Sequence, residues 1–243
     1  MFRFVLVVVS LLAVISINAL ANMLPLNGQT TGEISNRLPV LFTPAGYVFS
    51  IWTLIYVLLI IWVIGLWRTR NNGDTLLEKR SILFIISNIF NISWIFLWHY
   101  ELFALTVVAM IGLLITLLLL YRTYQVQDDK ISSRLPISIY LGWISVATIS
   151  NISYVLTVYQ WSGWGLSDPL WAVIMMTVGT ALALHIRFHH FDIAYPFVFI
   201  WAFIGIAVHN GFEELLVMTA ALFLSAVLFA GILFIKKRPS ADK

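Results

Sequence analysis

Residues 43–67 have the sequence TPAGYVFSIWTLIYVLLIIWVIGLW, and they decide the fold class of this chain. The 24 residues from Pro44 to Trp67 carry no charged side chain. At about 1.5 Å of rise per residue, a helix of this length crosses a hydrocarbon core of about 30 Å. Pro44 suits the first turn, because the N–H that proline lacks would have no partner there. The stretch therefore predicts a transmembrane helix.

Three aromatic residues share one face of this predicted helix. Phe49, Trp52 and Tyr56 follow a spacing of three and four residues, which brings them to the same side of an α-helix. Trp and Tyr favour membrane interfaces, so an aromatic belt is one interpretation. Trp52 lies eight residues in from Pro44, or about 12 Å along the axis, which is deep for a belt. An aromatic wall that faces the bundle interior is the second interpretation.

The composition places the rest of the chain in the membrane as well. Of the 243 residues, 61% are hydrophobic and 10% are charged, whereas a soluble domain has about 25% charged residues. The chain is thus predicted to be an all-α, multi-pass membrane helix bundle without a soluble domain larger than a loop. It has no cysteine, which excludes disulfides, thiolate metal sites and cysteine catalysis.

Apolar runs predict eight transmembrane helices. The first run follows Arg3 and ends in Ala19-Leu20-Ala21, a pattern also typical of a cleaved signal peptide. The seventh run gives the weakest signal, because Asp192 falls at its end. The predicted spans are Phe4–Ala21, Pro44–Trp67, Ser81–Trp98, Phe103–Tyr121, Leu135–Tyr159, Pro169–His185, Phe191–His209 and Leu215–Ile235.

The basic residues predict the orientation of this bundle. When the predicted loops are assigned alternately to the two sides, 13 of the 14 Lys and Arg residues fall on one side and only Arg37 falls on the other. Cytoplasmic loops of membrane proteins carry this excess of basic residues. Both termini are therefore expected in the cytoplasm, and the loop 22–43 outside. The pI near 9.2 is a topology signal and does not indicate a nucleic-acid partner.

A layer of Asn and Trp residues lies at a similar depth in four of the predicted helices. Counted from the outer helix ends, these residues lie about 10–12 Å deep, and they are Trp52, Asn91, Asn151 and Trp201. Asn side chains facing lipid would leave amide groups without partners, so their faces are expected to point inward. Buried Asn residues can hydrogen-bond helices together. The alternative is an aromatic cavity in the outer half, with a few amides that orient a ligand.

Three motifs in this layer resemble those of one known family. Tyr140-Leu-Gly-Trp143, followed by Ala147-Thr148 and Asn151, resembles the fifth-helix signature of the TspO/translocator protein family, the tryptophan-rich sensory proteins. Asn91-x-x-Trp94 is similar to the third-helix motif. The second-helix motif is similar to Thr43-Pro44, Tyr47-Val48-Phe49, Trp52-Thr53 and Tyr56, although one residue and two prolines of the family pattern are missing.

The resemblance covers Phe4 to about Tyr159 and implies a five-helix core in residues 1–160. Residues 161–243 then supply three additional helices and a basic tail. In the family, an aromatic pocket capped by the loop after the first helix binds tetrapyrroles and other hydrophobic molecules, so the first run is expected to stay as a helix. Porphyrin or haem is accordingly a candidate ligand. The predicted ligand-binding residues are Tyr47, Phe49, Trp52, Tyr56, Asn88, Asn91, Trp94, Trp98, Trp143, Ala147, Asn151 and Arg37.

Arg37 is included because it is the only cation predicted outside the membrane, in the loop that the resemblance makes a lid. A carboxylate of the ligand is one partner for its guanidinium, which can form two parallel hydrogen bonds. Glu33, four residues earlier, is the other. His99 and Glu101, at the outer end of a predicted helix, are expected to be solvated. At the cytoplasmic side His185 and His189 have a spacing that can hold a metal, but an interfacial polar loop is the favoured interpretation and no metal is predicted.

These observations favour a binding or sensory protein for a hydrophobic or planar aromatic molecule. A carrier or permease component for a neutral hydrophobic solute is the alternative, since no acidic or basic residue lies well inside the predicted spans as ion coupling usually requires. An enzyme is not expected, because the sequence has no hydrolase or phosphate-binding motif. The expected partners are the lipid bilayer and the small molecule, with a homodimer left open. The expected location is a cell membrane, in a bacterium.

Overall fold

The computed structural model describes residues 2–24, 26–69, 74–125 and 130–236, and this part of the chain contains helices and no strands. Seven of the helices are long and apolar enough to cross a membrane, which confirms the all-α, multi-pass prediction. The α-helices are α1 (Phe2–Met23), α2 (Thr31–Ser35), α3 (Ile51–Arg68), α4 (Thr75–His99), α5 (Phe103–Tyr121), α6 (Arg134–Val158), α7 (Asp168–His190), α8 (Ala194–Asn210) and α9 (Leu215–Phe234).

The start of α3 differs from the prediction, which placed it at Pro44. A 3₁₀-helix, Gly46–Ser50, comes first, and regular α-helix begins at Ile51. The residues before Ile51 are held by a tertiary contact. The backbone N–H of Ala45 donates to the carbonyl of Gly205 in α8, at 3.0 Å. The segment 43–50, called the entry segment below, is thus held against α8.

α8 is shorter than the other membrane-spanning candidates, with 17 residues. Asp192 ends the apolar stretch, as the sequence indicates, and lies just before the helix. One carboxylate oxygen accepts from the backbone N–H groups of Ala194 and Tyr195, at 2.9 and 3.2 Å. The other accepts from the hydroxyls of Tyr121 and Ser138, both at 2.7 Å. This buried carboxylate therefore fixes the start of α8 to α5 and α6.

Basic side chains make contacts at one end of the bundle, where α1, α4 and α6 begin. Arg3 pairs with Glu78 at 2.7 Å, and Arg80 donates to the carbonyl of Thr123 at 2.9 Å. At the same end, Arg134 donates to the carbonyl of His190 at 3.3 Å, and Arg187 donates to that of Ile232 at 2.9 Å. The end at which Arg37 lies is called the outer end here. The eighth crossing by α8 and the cytoplasmic position of the termini stay predictions.

The histidines at the basic end do not gather into a metal site in the described part of the chain, where no group of three metal-ligating side chains occurs. The rings of His185 and His189 are 4.2 Å apart, and His189 Nδ1 bonds the carbonyl of His185 at 3.0 Å. Asp192 belongs instead to the hydroxyl cluster at the start of α8, 3.9 Å from the guanidinium of Arg134.

Candidate functional site

A cavity of about 510 Å³ lies at the outer end of the bundle, a size within the usual range for small-molecule sites. Its wall is made by α1, α3, α4, α5 and α6, and by the entry segment. The outer loop, residues 26–42, covers it and contributes Thr31, Gly32, Ser35 and Asn36 to the lining. The five long helices that enclose it are those for which the sequence predicted a core.

One side of the cavity is an aromatic cluster on α3 and α6, called the α3 cluster. Trp52 is stacked on Tyr56 with ring centroids 5.5 Å apart. Its ring also meets the edges of Tyr140 and Trp143, at 5.9 and 6.2 Å. Phe49 contacts Trp143 edge to face at 5.8 Å. Trp52 is thus in the interior of the bundle, which supports the wall interpretation over the belt.

A second aromatic cluster, the α4 cluster, joins α4, α5 and α6. Trp94 is stacked on Trp98, with centroids 5.4 Å apart. Trp98 in turn packs on Phe103 and Tyr154, at 5.5 and 4.7 Å. Offset and edge-to-face pairs of this kind stabilise a packed interior beyond the area that they bury. The two clusters therefore give the cavity rigid, flat aromatic surfaces.

Hydrogen-bonded amides tie together the helices that surround the cavity. Asn18 of α1 donates to the side-chain oxygen of Asn91 at 2.8 Å, and Asn91 donates to the hydroxyl of Tyr140 at 3.0 Å. Asn151 donates to the hydroxyl of Thr106 at 3.0 Å, which ties α6 to α5. Asn91 and Asn151 are buried, as the sequence predicted. Asn91 and Asn151 hold helices together and also line the cavity, so the two interpretations of these amides are compatible.

The outer loop is fixed to the helix ends beneath it. His99 is buried, with Nδ1 3.1 Å from the carbonyl of Leu26 and Nε2 3.0 Å from the hydroxyl of Thr31. Tyr154 donates to the carbonyl of Ile34 at 2.9 Å. The expectation that His99 is solvated was wrong, because the outer loop folds over the end of α4 and buries the imidazole.

Arg37 pairs with Glu101 at 2.9 Å and also donates to the side chain of Gln29. The sequence offered Glu33 as its acidic partner, and the structure shows a different one. The carboxylate of Glu33 closes a capping box at the start of α2 and accepts from the backbone N–H of Thr30 at 2.6 Å. This bond holds the pKa of Glu33 below its usual value. Arg37 therefore anchors the outer loop to the α4–α5 turn.

No charged side chain lines the cavity within the described ranges. Its polar groups are neutral amides and hydroxyls. Three lining residues also have a buried polar atom without a hydrogen-bond partner in this part of the structure, namely Tyr56 Oη, Trp94 Nε1 and Trp143 Nε1. Each of these groups can donate a hydrogen bond, and buried donors are ordinarily paired.

A comparison with family models matches residues 4–234 to the TSPO-like proteins. The chain belongs to the TSPO-like protein family. The match includes α7, α8 and α9, so it extends beyond Tyr159, where the sequence motifs end. The searches of curated proteins and of solved structures found no match. Membership of this family and the apolar helices together make the chain a multi-pass membrane protein.

Most of the residues predicted for the ligand site of this TSPO-like protein lie around one cavity. Those that line it are Phe49, Trp52, Tyr56, Asn91, Trp94, Trp98, Trp143, Ala147 and Asn151. The structure places Tyr47, Asn88 and Arg37 outside the lining. Tyr47 turns outward onto Trp201, at 5.4 Å, because the entry segment is not a regular helix. Asn88 instead donates to Ser10 of α1, at 3.0 Å.

Sequence reasoning missed several polar residues of the lining, among them Asn18 and Tyr154. Asn18 lies in the first apolar run, where it is the one amide, and this isolation within an apolar stretch was the available signal. Tyr154 follows Asn151 by three residues on the same helical face, yet its role in holding the outer loop depends on a contact with Ile34, far away in sequence.

Proposed function

We propose that this TSPO-like protein binds a neutral, hydrophobic or planar aromatic small molecule in the outer cavity and has a sensory or regulatory role. The observation that carries the proposal is the uncharged aromatic lining, in which residues of the α3 cluster and of the α4 cluster border the same cavity. A planar ring system stacks well on such surfaces.

The absence of charge in the lining, within the described ranges, selects the chemical class of the ligand. A carboxylate moved into this cavity would lose its hydration without gaining a cation, which is costly. Arg37, the cation that the sequence predicted on the outer side, is bound to Glu101. The neutral amides and hydroxyls of the lining can hydrogen-bond the neutral polar groups of a ligand, such as ring nitrogens or carbonyl oxygens. A neutral tetrapyrrole has such groups and carries no charge.

A titration with two forms of one porphyrin tests this proposal. Protoporphyrin IX and its dimethyl ester have the same ring system, but only the acid carries two carboxylates. We expect the ester to quench tryptophan fluorescence of the detergent-purified protein and to bind at least as tightly as the acid, since the lining offers no cation. If neither form binds, the proposal fails for tetrapyrroles. If the acid binds much more tightly than the ester, the proposed neutral class is wrong.

A further inference from the structure

The entry segment has the cavity on one side and α8 on the other. Pro44, Gly46 and Phe49 line the cavity. Val48, between them in sequence, is buried against Gly205 of α8. α8 itself contributes no residue to the lining. α8 can therefore act on a bound molecule through the entry segment, in addition to its packing on α6.

Hydrogen bonds to backbone groups connect α8 to this segment and to the end of the outer loop. The carbonyl of Gly205 accepts from Ala45 N at 3.0 Å, and the indole N–H of Trp201 donates to the carbonyl of Val48 at 3.1 Å. Further along, Asn210 donates to the carbonyl of Leu41 at 2.9 Å. An irregular segment has few hydrogen bonds of its own, so its position depends on partners such as these.

Gly205 allows the two elements to approach this closely. A Cβ atom at this position would lie 2.1 Å from Val48 Cγ2 and 3.2 Å from Pro44 Cβ. Val48 is buried and branches at Cβ, which restricts rotation about χ1, so its methyl group moves away less readily than the tip of a long side chain. A methyl group at position 205 would therefore push the entry segment, and with it Phe49, toward the cavity.

From these contacts we propose that Gly205 and Trp201 are positioning residues, which set the ligand affinity of the cavity from outside it. They hold Phe49 against Trp143 at 5.8 Å, in the geometry that the α3 cluster needs. Attraction between packed surfaces falls steeply with small displacements, so a shift of the entry segment weakens the contact with a flat ligand. This inference rests on the proposed function and gives α8 a part in it.

The test measures the affinity for protoporphyrin IX dimethyl ester in three variants. Gly205→Ala should weaken binding about tenfold, which corresponds to about 1.4 kcal/mol. Adding Val48→Ala to this variant removes the clashing methyl group and should restore affinity to within about threefold of the wild type. Trp201→Phe keeps the aromatic ring but loses the bond to Val48, and it should weaken binding about threefold to tenfold.

Gly231→Ala in α9 is the matched control. A Cβ there would lie 2.5 Å from Leu184 Cδ2, so the variant also crowds two helices, but away from the cavity. Its affinity should equal that of the wild type even if its melting temperature falls.

Wild-type affinity in Gly205→Ala, or a loss that Val48→Ala does not restore, would overturn the inference and leave the proposed function intact. If Gly205→Ala does not fold, the affinity of Trp201→Phe for the ester is the deciding measurement. An affinity equal to that of the wild type then overturns the inference. Failure of the wild type to bind the ester would overturn both proposals.

Discussion

Individual buried polar groups around the cavity differ in whether they have a partner. The hydroxyl of Tyr140 accepts from Asn91, whereas the hydroxyl of Tyr56, on the same aromatic cluster, has no partner in the described structure. A paired buried group contributes modestly to stability, while an unpaired one costs free energy. Two tyrosines in one cluster should therefore respond in opposite ways when they lose the hydroxyl.

The variants Tyr140→Phe and Tyr56→Phe test this difference, and each serves as the control for the other. Tyr140→Phe leaves a donor of Asn91 buried without its acceptor, so we expect the free energy of unfolding to fall by about 1–3 kcal/mol. Tyr56→Phe removes an unpaired hydroxyl and should leave stability unchanged or raise it by about 1 kcal/mol. Thermal melts of the unliganded protein in detergent measure both. Equal destabilisation would show that Tyr56 has a partner.

Among the elements, the outer loop depends on a few contacts with the ends of α4 and α6. His99 provides two of them, since its ring nitrogens contact Leu26 and Thr31. Trp98 adds a bond to the carbonyl of Thr31 at 3.3 Å. The exposed ion pair between Arg37 and Glu101 lies at the rim of the loop and is expected to contribute about 0–1 kcal/mol. The buried imidazole should therefore matter more than the ion pair.

Replacement of His99 tests how the outer loop is held. His99→Ala should raise the rate of hydrogen–deuterium exchange in residues 30–36 about tenfold. In this variant the outer loop can open without breaking the two hydrogen bonds that the imidazole makes. His209→Ala is the control, since His209 is at the outer end of α8 and exposed. Unchanged exchange in His99→Ala would mean that other contacts hold the loop.

The elements also show which features could be predicted from sequence. Apolar runs and helical spacing sufficed to place the long helices, the inward-facing Asn residues and the aromatic wall on α3. The irregular start of α3 could not be predicted, because it depends on the carbonyl of Gly205, about 160 residues away in sequence. The pairing of Arg37 with Glu101 likewise depends on how the outer loop folds over α4. Local patterns carry no information about such distant partners.

For the whole molecule, the main untested prediction is the number of crossings. α8 is short, yet the bonds of Asp192 put its start at the basic end, and Asn210 bonds the outer loop at the other. These contacts agree with a helix that crosses the bundle. The predicted five-helix core, residues 1–160, contacts the helices predicted to be additional where α8 packs on α6 and on the entry segment.

Cysteine labelling tests the crossing of α8, and the chain contains no cysteine that would interfere. Phe212 lies between α8 and α9 and is 88% exposed. If α8 crosses the membrane, Phe212→Cys should react with an impermeant maleimide in intact cells. Lys130→Cys, predicted in the cytoplasm, should react only after the cells are opened. Protection of Phe212→Cys until lysis would exclude the eight-span model.

Two tryptophan variants test whether the aromatic cavity holds the ligand. Trp52 lines the cavity, whereas Trp164 belongs to an exposed cluster with Trp161 and Trp171 and is 78% exposed. In an equilibrium titration, Trp52→Ala should bind protoporphyrin IX dimethyl ester about tenfold more weakly than the wild type, or weaker still, because an aromatic surface of the cavity is lost. Trp164→Ala should bind like the wild type. Wild-type affinity in Trp52→Ala, or an equal loss in both variants, would contradict ligand binding in this cavity.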